Sequence, residues 1–389
     1  MKTFFRVFSR ELGIIFKDHS IILTVLIAPI LYAFFLGSIY LYKDADQIDF
    51  AVVDMDRTST TRELYRFMDA DQKIKMIGTL GSYEEGVDRL YKMDIQGFLY
   101  FPHGFEDDIK SLDGADVKLY LNTTRFMPSN DLNNAVQQIL LTYGAGVRLR
   151  YFEAKGMTQA TAMELVEPLS AEVHPIYNTT NCYGNFLLPG LFLLILQQTL
   201  LIGFGESIAK ENEKSKFSKL FAAGKNKLLQ IIGGKMGFYA LLYVGYFLFF
   251  FTVVFHAFEI PIKGNLLAVA FMSILFLFSV LFYTLFFASF FHSQKRYMEI
   301  IAFTSYPLFL ICGYSWPLSA MPLPIKWLSH TIPTTPFFNG FIKLGVMGGG
   351  WASVKGYIFN LIILVLLSFV AVVWRWRYLG KKPEDIIRT

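Results

Sequence analysis

The residues with the means to do chemistry gather in one short stretch, 205–235. Seven lysines there (Lys210, Lys214, Lys216, Lys219, Lys225, Lys227 and Lys235) face three acids, Glu206, Glu211 and Glu213. This set lacks the partners that catalysis needs. No GxxxxGK[ST] loop occurs, because Gly224–Lys225 and Gly234–Lys235 lack the upstream glycine that cradles a phosphate. The six histidines are scattered without metal spacing, HExxH is missing, and no Ser/His/Asp grouping can be assembled. What remains is a charged surface. A lysine-rich loop between two apolar segments is kept in the cytoplasm by the positive-inside rule.

The elements around it are apolar. Of 389 residues 17% are charged, where a soluble domain averages about 25%, and Phe alone numbers 40. Apolar runs of membrane length account for the deficit, so the chain is expected to be a polytopic α-helical membrane protein. The net charge of +5 is unevenly spread and gives no reason to expect nucleic acid. Two cysteines, Cys182 and Cys312, read as two buried thiols, with a disulfide between them as the alternative.

In chain order, 1–20 reads as an amphipathic interfacial helix. Phe4, Phe5, Phe8, Leu12, Ile15 and Phe16 form its apolar face, with Arg6, Arg10 and Lys17 opposite. It is too charged for a cleavable signal peptide. The first transmembrane helix is 21–42, with Pro29 inside it.

Residues 43–184 then alternate short strands and helices, which implies an α/β domain with a mixed or parallel sheet. Asp54 and Asp56 follow its first strand and read as turn and cap residues rather than a metal site. Residues 185–373 form a five-helix membrane block with spans near 186–205, 236–258, 266–291, 300–315 and 356–373. The basic tail 374–389 follows. Six transmembrane helices are therefore expected.

Within the block, 316–351 is too broken to cross and too apolar for a free loop. It is expected to be an outer re-entrant segment. Cytoplasmic pieces under this topology hold 18 of the 36 Lys and Arg against 8 of the 31 acids. That bias puts both termini inside and the α/β domain outside.

Charged residues are missing from the apolar spans, which speaks against an ion-driven carrier. The polar candidates there are Gln197, Gln198, Thr199, Thr252, Ser273 and Thr284, either joining helices or touching substrate. Tyr239, Tyr243 and Tyr246 are suited to packing or to stacking on an amphiphile. With Gln197 and Gln198 they are the candidate substrate path.

Taken together, the order of parts resembles the type 2 ABC exporter permeases that carry a large extracytoplasmic domain after the first span. The resemblance rests on AVVDMD at 51–56, NFLLPG at 185–190, KENE at 210–213 and Gly234–Lys235. Gly313, Pro317, Pro322 and the IPTTP run containing Pro333 and Pro336 resemble the family's re-entrant segment. In the family a Gly-Thr-x-Glu-x-Leu pattern follows the charged stretch. Here Ser215, Lys216, Phe217, Ser218, Lys219 and Leu220 stand instead, and only the leucine survives.

The resemblance implies a coupling helix in which Glu206, Lys210, Glu211, Glu213, Phe217, Leu220 and Phe221 meet a cytoplasmic ABC ATPase. It implies no cofactor on this chain, with ATP and Mg on that partner. A second permease copy or homologue, a periplasmic adaptor and the lipid of an inner membrane complete the expected partners. The implied activity is ATP-driven export of an amphiphile such as a drug, lipid or glycolipid. A membrane sensor or accessory protein binding ligand through the outer domain is the alternative. A polytopic enzyme fits less well, for want of converging acids and histidines.

Overall fold

The computed structural model describes residues 2–41, 47–112, 114–167, 174, 176–179, 182–213, 220–221 and 227–381. The chain divides into two compact units, 1–43 with 175–389, and 44–174.

The smaller unit is a sheet with helices on both faces. Its elements are β1 (Ile48–Asp54), α3 (Ser59–Asp69), β2 (Ile74–Leu80), α4 (Tyr83–Tyr91), β3 (Gly97–Phe101), α5 (Phe105–Ser111), β4 (Lys118–Leu121), α6 (Phe126–Ala154) and α7 (Gln159–Val166). Strand order is β2-β1-β3-β4; β1 pairs parallel with β2 and β3, and β4 closes the edge antiparallel.

β1 is central, and its near-continuous apolar run follows from burial on both faces. Phe50 and Val52 pack with Leu64, Met68, Leu132 and Val136 of α3 and α6. Ala51 and Val53 face the other core with Leu80, Ile95 and Phe98. Asp54 and Asp56 order the turns around them. Asp54 accepts from Thr61 Oγ1 at 2.7 Å and Arg57 N at 2.8 Å. Asp56 accepts from Gly104 N at 2.8 Å and Glu106 N at 3.0 Å.

The larger unit is helical: α1 (Lys2–Ile15), α2 (His19–Ile39), α8 (Tyr183–Glu213), α9 (Leu228–Ala257), α10 (Leu266–Ala288), α11 (Gln294–Ile311), α12 (Leu323–His330), α13 (Thr334–Phe341) and α14 (Trp351–Lys381). Among the described residues five helices are long and apolar enough to cross a membrane: α2, α8, α9, α10 and α14. Helix α11 holds most of the 300–315 span. It has 18 residues, and Lys295, Arg296 and Glu299 occupy its first two turns.

Helix α8 is the hub, with 72% of its most apolar window buried against 11% for α14. Neighbours reach it through its glycines. A Cβ on Gly190 would stand 2.3 Å from the Tyr314 ring, and one on Gly205 2.0 Å from Tyr297. The Tyr314 hydroxyl enters the helix ladder beside Pro189, accepting from Gly190 N at 3.0 Å and donating to Phe186 O at 2.6 Å.

The proline of α2 is handled differently. Residues 23–27 form a widened turn ahead of Pro29, which has no N–H for the Val25 carbonyl. Tyr246 of α9 donates to that carbonyl at 2.9 Å.

Residues 316–351 hold α12, α13 and short 3-10 and π turns. Helix α13 is almost wholly buried. Phe337 stacks on Phe276 of α10 with ring centroids 3.9 Å apart.

Candidate coupling site

Helix α1 meets the rest of its unit along one stripe. Its buried residues are Thr3, Val7, Glu11 and Ile15, while Phe5 and Phe16 are exposed. A four-residue repeat lies along one side of a helix, so one stripe of α1 meets protein, with Phe4 and Phe8 half-buried beside it against Gly237 and Phe238 of α9. Gly234 of α9 receives this stripe; a Cβ there would be 2.8 Å from Val7 Cβ and from Phe4 O.

Glu11 therefore enters the interior, fully buried, and Lys235 meets it at 2.7 Å, also fully buried. Lys235 also donates to Ser207 Oγ at 2.9 Å and lies 3.5 Å from Glu211. Ser207 donates to the other oxygen of Glu11. Arg10 closes the set with a two-pronged pair on Glu211, its Nη2 at 2.9 Å. That geometry matches the planar fork of guanidinium to a carboxylate.

A second cluster adjoins it. Asp18 caps α2 by accepting from Ser20 N at 3.0 Å, and it pairs with Lys210. Burial pushes the Asp18 carboxyl up, but bonds from Lys210 and Gln294 outweigh it and hold the group below its ordinary value. Gln294 Nε2 bridges Asp18 at 3.1 Å and Glu206 at 3.2 Å, while Ser20 Oγ donates to Glu206 at 3.2 Å. Residues from α1, α2, α8, α9 and α11 are thus joined at one end of the helix set.

These contacts redistribute the residues expected to meet a partner. Glu206 and Glu211 are buried within the chain, and Lys210 is engaged by Asp18. Glu213 is exposed at the end of α8 and accepts from Gln294 N at 3.2 Å. Leu220 and Phe221 are buried, the latter with its ring 6.5 Å from that of Trp376. Phe217 and Lys214, Lys216, Lys219 and Lys225 lie outside the described residues. The physical reason is desolvation: a carboxylate next to apolar helices is stable only where cations and donors surround it, so these acids turn inward. The charged stretch also starts inside a helix, since α8 runs on past Gly205 to Glu213.

All but one of the candidate path residues are likewise taken up by helix-to-helix contacts. Gln197 Oε1 accepts from Thr334 Oγ1 at 2.8 Å, joining α8 to α13. Tyr243 donates to Thr199 Oγ1 at 3.0 Å, and Tyr239 lies with its ring 4.5 Å from that of Phe204. Both amide atoms of Gln198 are buried and lack a hydrogen-bond partner among the described residues. In the broken segment, Gly313 has a left-handed φ of 88°. Pro322 and Pro333 stand just ahead of α12 and α13, Pro336 lies in the first turn of α13, and Pro317 precedes a 3-10 turn.

Sequence reading named Lys235 in the basic stretch and Arg10 on the polar face of α1 but did not join them, and it did not bring Glu11, Asp18, Ser207 or Gln294 into the site. One signal was available: Glu11 interrupts the i, i+4 stripe of Val7 and Ile15, where a solvated acid would have no place.

Residues 19–374 match the family described as ABC-2 family transporter protein. No curated protein matches the chain.

Proposed function

This chain belongs to the ABC-2 family of transporter proteins, and on that premise we propose that its permease activity is ATP-driven export of an amphiphile. It is a multi-pass membrane subunit of an ABC transporter, and five of its helices have the length and apolarity to cross. A separate ATPase binds ATP and Mg, since the sequence has no phosphate-cradling GxxxxGK[ST] loop. Two permease copies, or this chain and a homologue, form the path, with α11 as a sixth crossing. Both termini lie in the cytoplasm of an inner-membrane protein, the α/β unit lies outside, and it engages a periplasmic adaptor. The substrate is a drug, lipid or glycolipid.

The observation carrying this reading is the family match over 19–374, which spans both compact units. The buried ion network supplies a coupling device. Five helix ends share its charges, so a push on the lysine-rich stretch would move them together rather than one at a time.

Purification from native membranes, with identification of companions and an ATP hydrolysis assay, tests the proposal. A co-purifying P-loop ATPase that is lost on charge reversal of Lys214, Lys216 and Lys219 is the expected result. Reproducible absence of any ATPase would overturn it. An ATPase that survives the reversal would move the docking surface elsewhere.

A further inference from the structure

Helix α6 is 29 residues long, yet its buried residues, Ser129, Leu132 and Val136, all lie in the first half. The second half carries Leu140, Leu141, Tyr143, Val147 and Phe152 without burying any of them fully. Gly144 and Gly146 interrupt it. Glycine is the poorest interior helix former after proline, so two in one turn call for a reason. A left-handed φ is not the reason, and neither is close packing: a Cβ on either would meet nothing within 4 Å.

What both glycines do is border open space. Gly146 lines a cavity of about 350 Å³ and Gly144 a larger one of about 500 Å³. The larger is walled by Leu64, Phe105, Ile109, Val117, Leu140 and Val147. Its volume and apolar walls are those of a small-molecule site, which needs only a few polar groups to orient its ligand. Asp108 and Arg148, both solvent-exposed, line the same cavity, which opens to the surface. Among the described residues neither side chain has an ion pair or hydrogen bond, with each other or with a third group.

We propose that this cavity binds a single-chain zwitterionic amphiphile. Its chain lies between α3, α5 and α6, its anionic group on Arg148 and its ammonium on Asp108. Gly144 keeps the wall bare for the chain. The site is independent of transport direction and of any ATPase, because binding alone is required of it.

The test uses the full chain in nanodiscs of diacyl phosphatidylglycerol, with photoactivatable C16 probes bearing a phosphoethanolamine, a phosphate or a hydroxyl head. Saturable labelling on 105–117 and 140–152 is expected, strongest for phosphoethanolamine. Gly144→Leu should cut it about tenfold while leaving the thermal midpoint equal or higher, since leucine is the better helix former. Gly146→Leu, two residues further along, should leave labelling intact. Arg148→Glu should weaken it about tenfold, and Asp108→Asn should erase the preference over the phosphate head. Equal labelling by all three heads, full labelling of Gly144→Leu, or crosslinks only to membrane helices or a second copy would each overturn the proposal.

Discussion

The two units both use acids to organise local structure, yet they place them in opposite surroundings. In the α/β unit Asp54, Asp56 and Glu106 bind groups at most 50 residues away, at a partly solvated turn. In the helical unit Glu11 and Glu211 bind groups up to 224 residues away, with almost no exposure. The first arrangement is a set of caps and turns, each of which can fail alone. The second is a buried pairing that must be complete, because an ion left without its partner has no water to fall back on. Acids therefore tune the α/β unit, whereas in the helix set they hold distant segments in register.

The sharpest way to break this comparison is to remove one buried cation. Lys235→Met should destabilise the chain by about 3–5 kcal/mol, because Glu11 loses the lysine it pairs with and Glu211 loses one of its two cations among the described residues. Thermal unfolding in nanodiscs measures this, and Glu11→Gln in the same chain should restore part of the loss. A cost no larger than that of a surface cap would remove the distinction between the units.

Next in size is Tyr246→Phe, which takes the donor from the Val25 carbonyl beside Pro29. A loss of about 1–2 kcal/mol is expected by the same measurement. Thr58→Ala in the α/β unit deletes the N-cap of α3, whose hydroxyl accepts from Thr61 N at 3.5 Å. About 1 kcal/mol is expected, read as reduced hydrogen-exchange protection confined to 59–69.

The smallest effect is a pH slope. Lys110 at 2.9 Å, with Thr60 and Ser59, holds the Glu106 carboxyl down to about 2. A depressed carboxyl adds stability that is complete above its ordinary value and fades as pH falls toward 2. Protection of the 59–69 amides should decline between pH 4.5 and 2, and Glu106→Gln should flatten that decline. A similar slope retained in the glutamine variant would assign it to other acids.

Much of the architecture could be read from residue order. The apolar runs marked the long helices because the lipid interior demands some twenty apolar residues in a row. Alternating strand and helix signals implied an α/β unit with a mixed or parallel sheet, and the sheet is mixed, since β4 runs antiparallel to β3. The helix α11 was harder to read: its charged first two turns and Pro307 dilute the apolar signal. The buried stripe of α1 was not legible, because aromatic residues outnumber it and pattern alone does not say which apolar residues meet protein.

The candidate coupling site was legible only as a concentration of charge. Composition and spacing determined that residues 205–235 are a basic stretch between two apolar segments, and that the sequence holds no GxxxxGK[ST] loop. They could not determine which of its acids and lysines would stay in water. That was decided by tertiary structure, because Glu11, Ser207, Glu211 and Lys235 are brought together by the close approach of α1 to Gly234. Sequence specifies the charges one at a time, whereas the energy of a buried ion belongs to the set around it, and that set exists only in the folded chain.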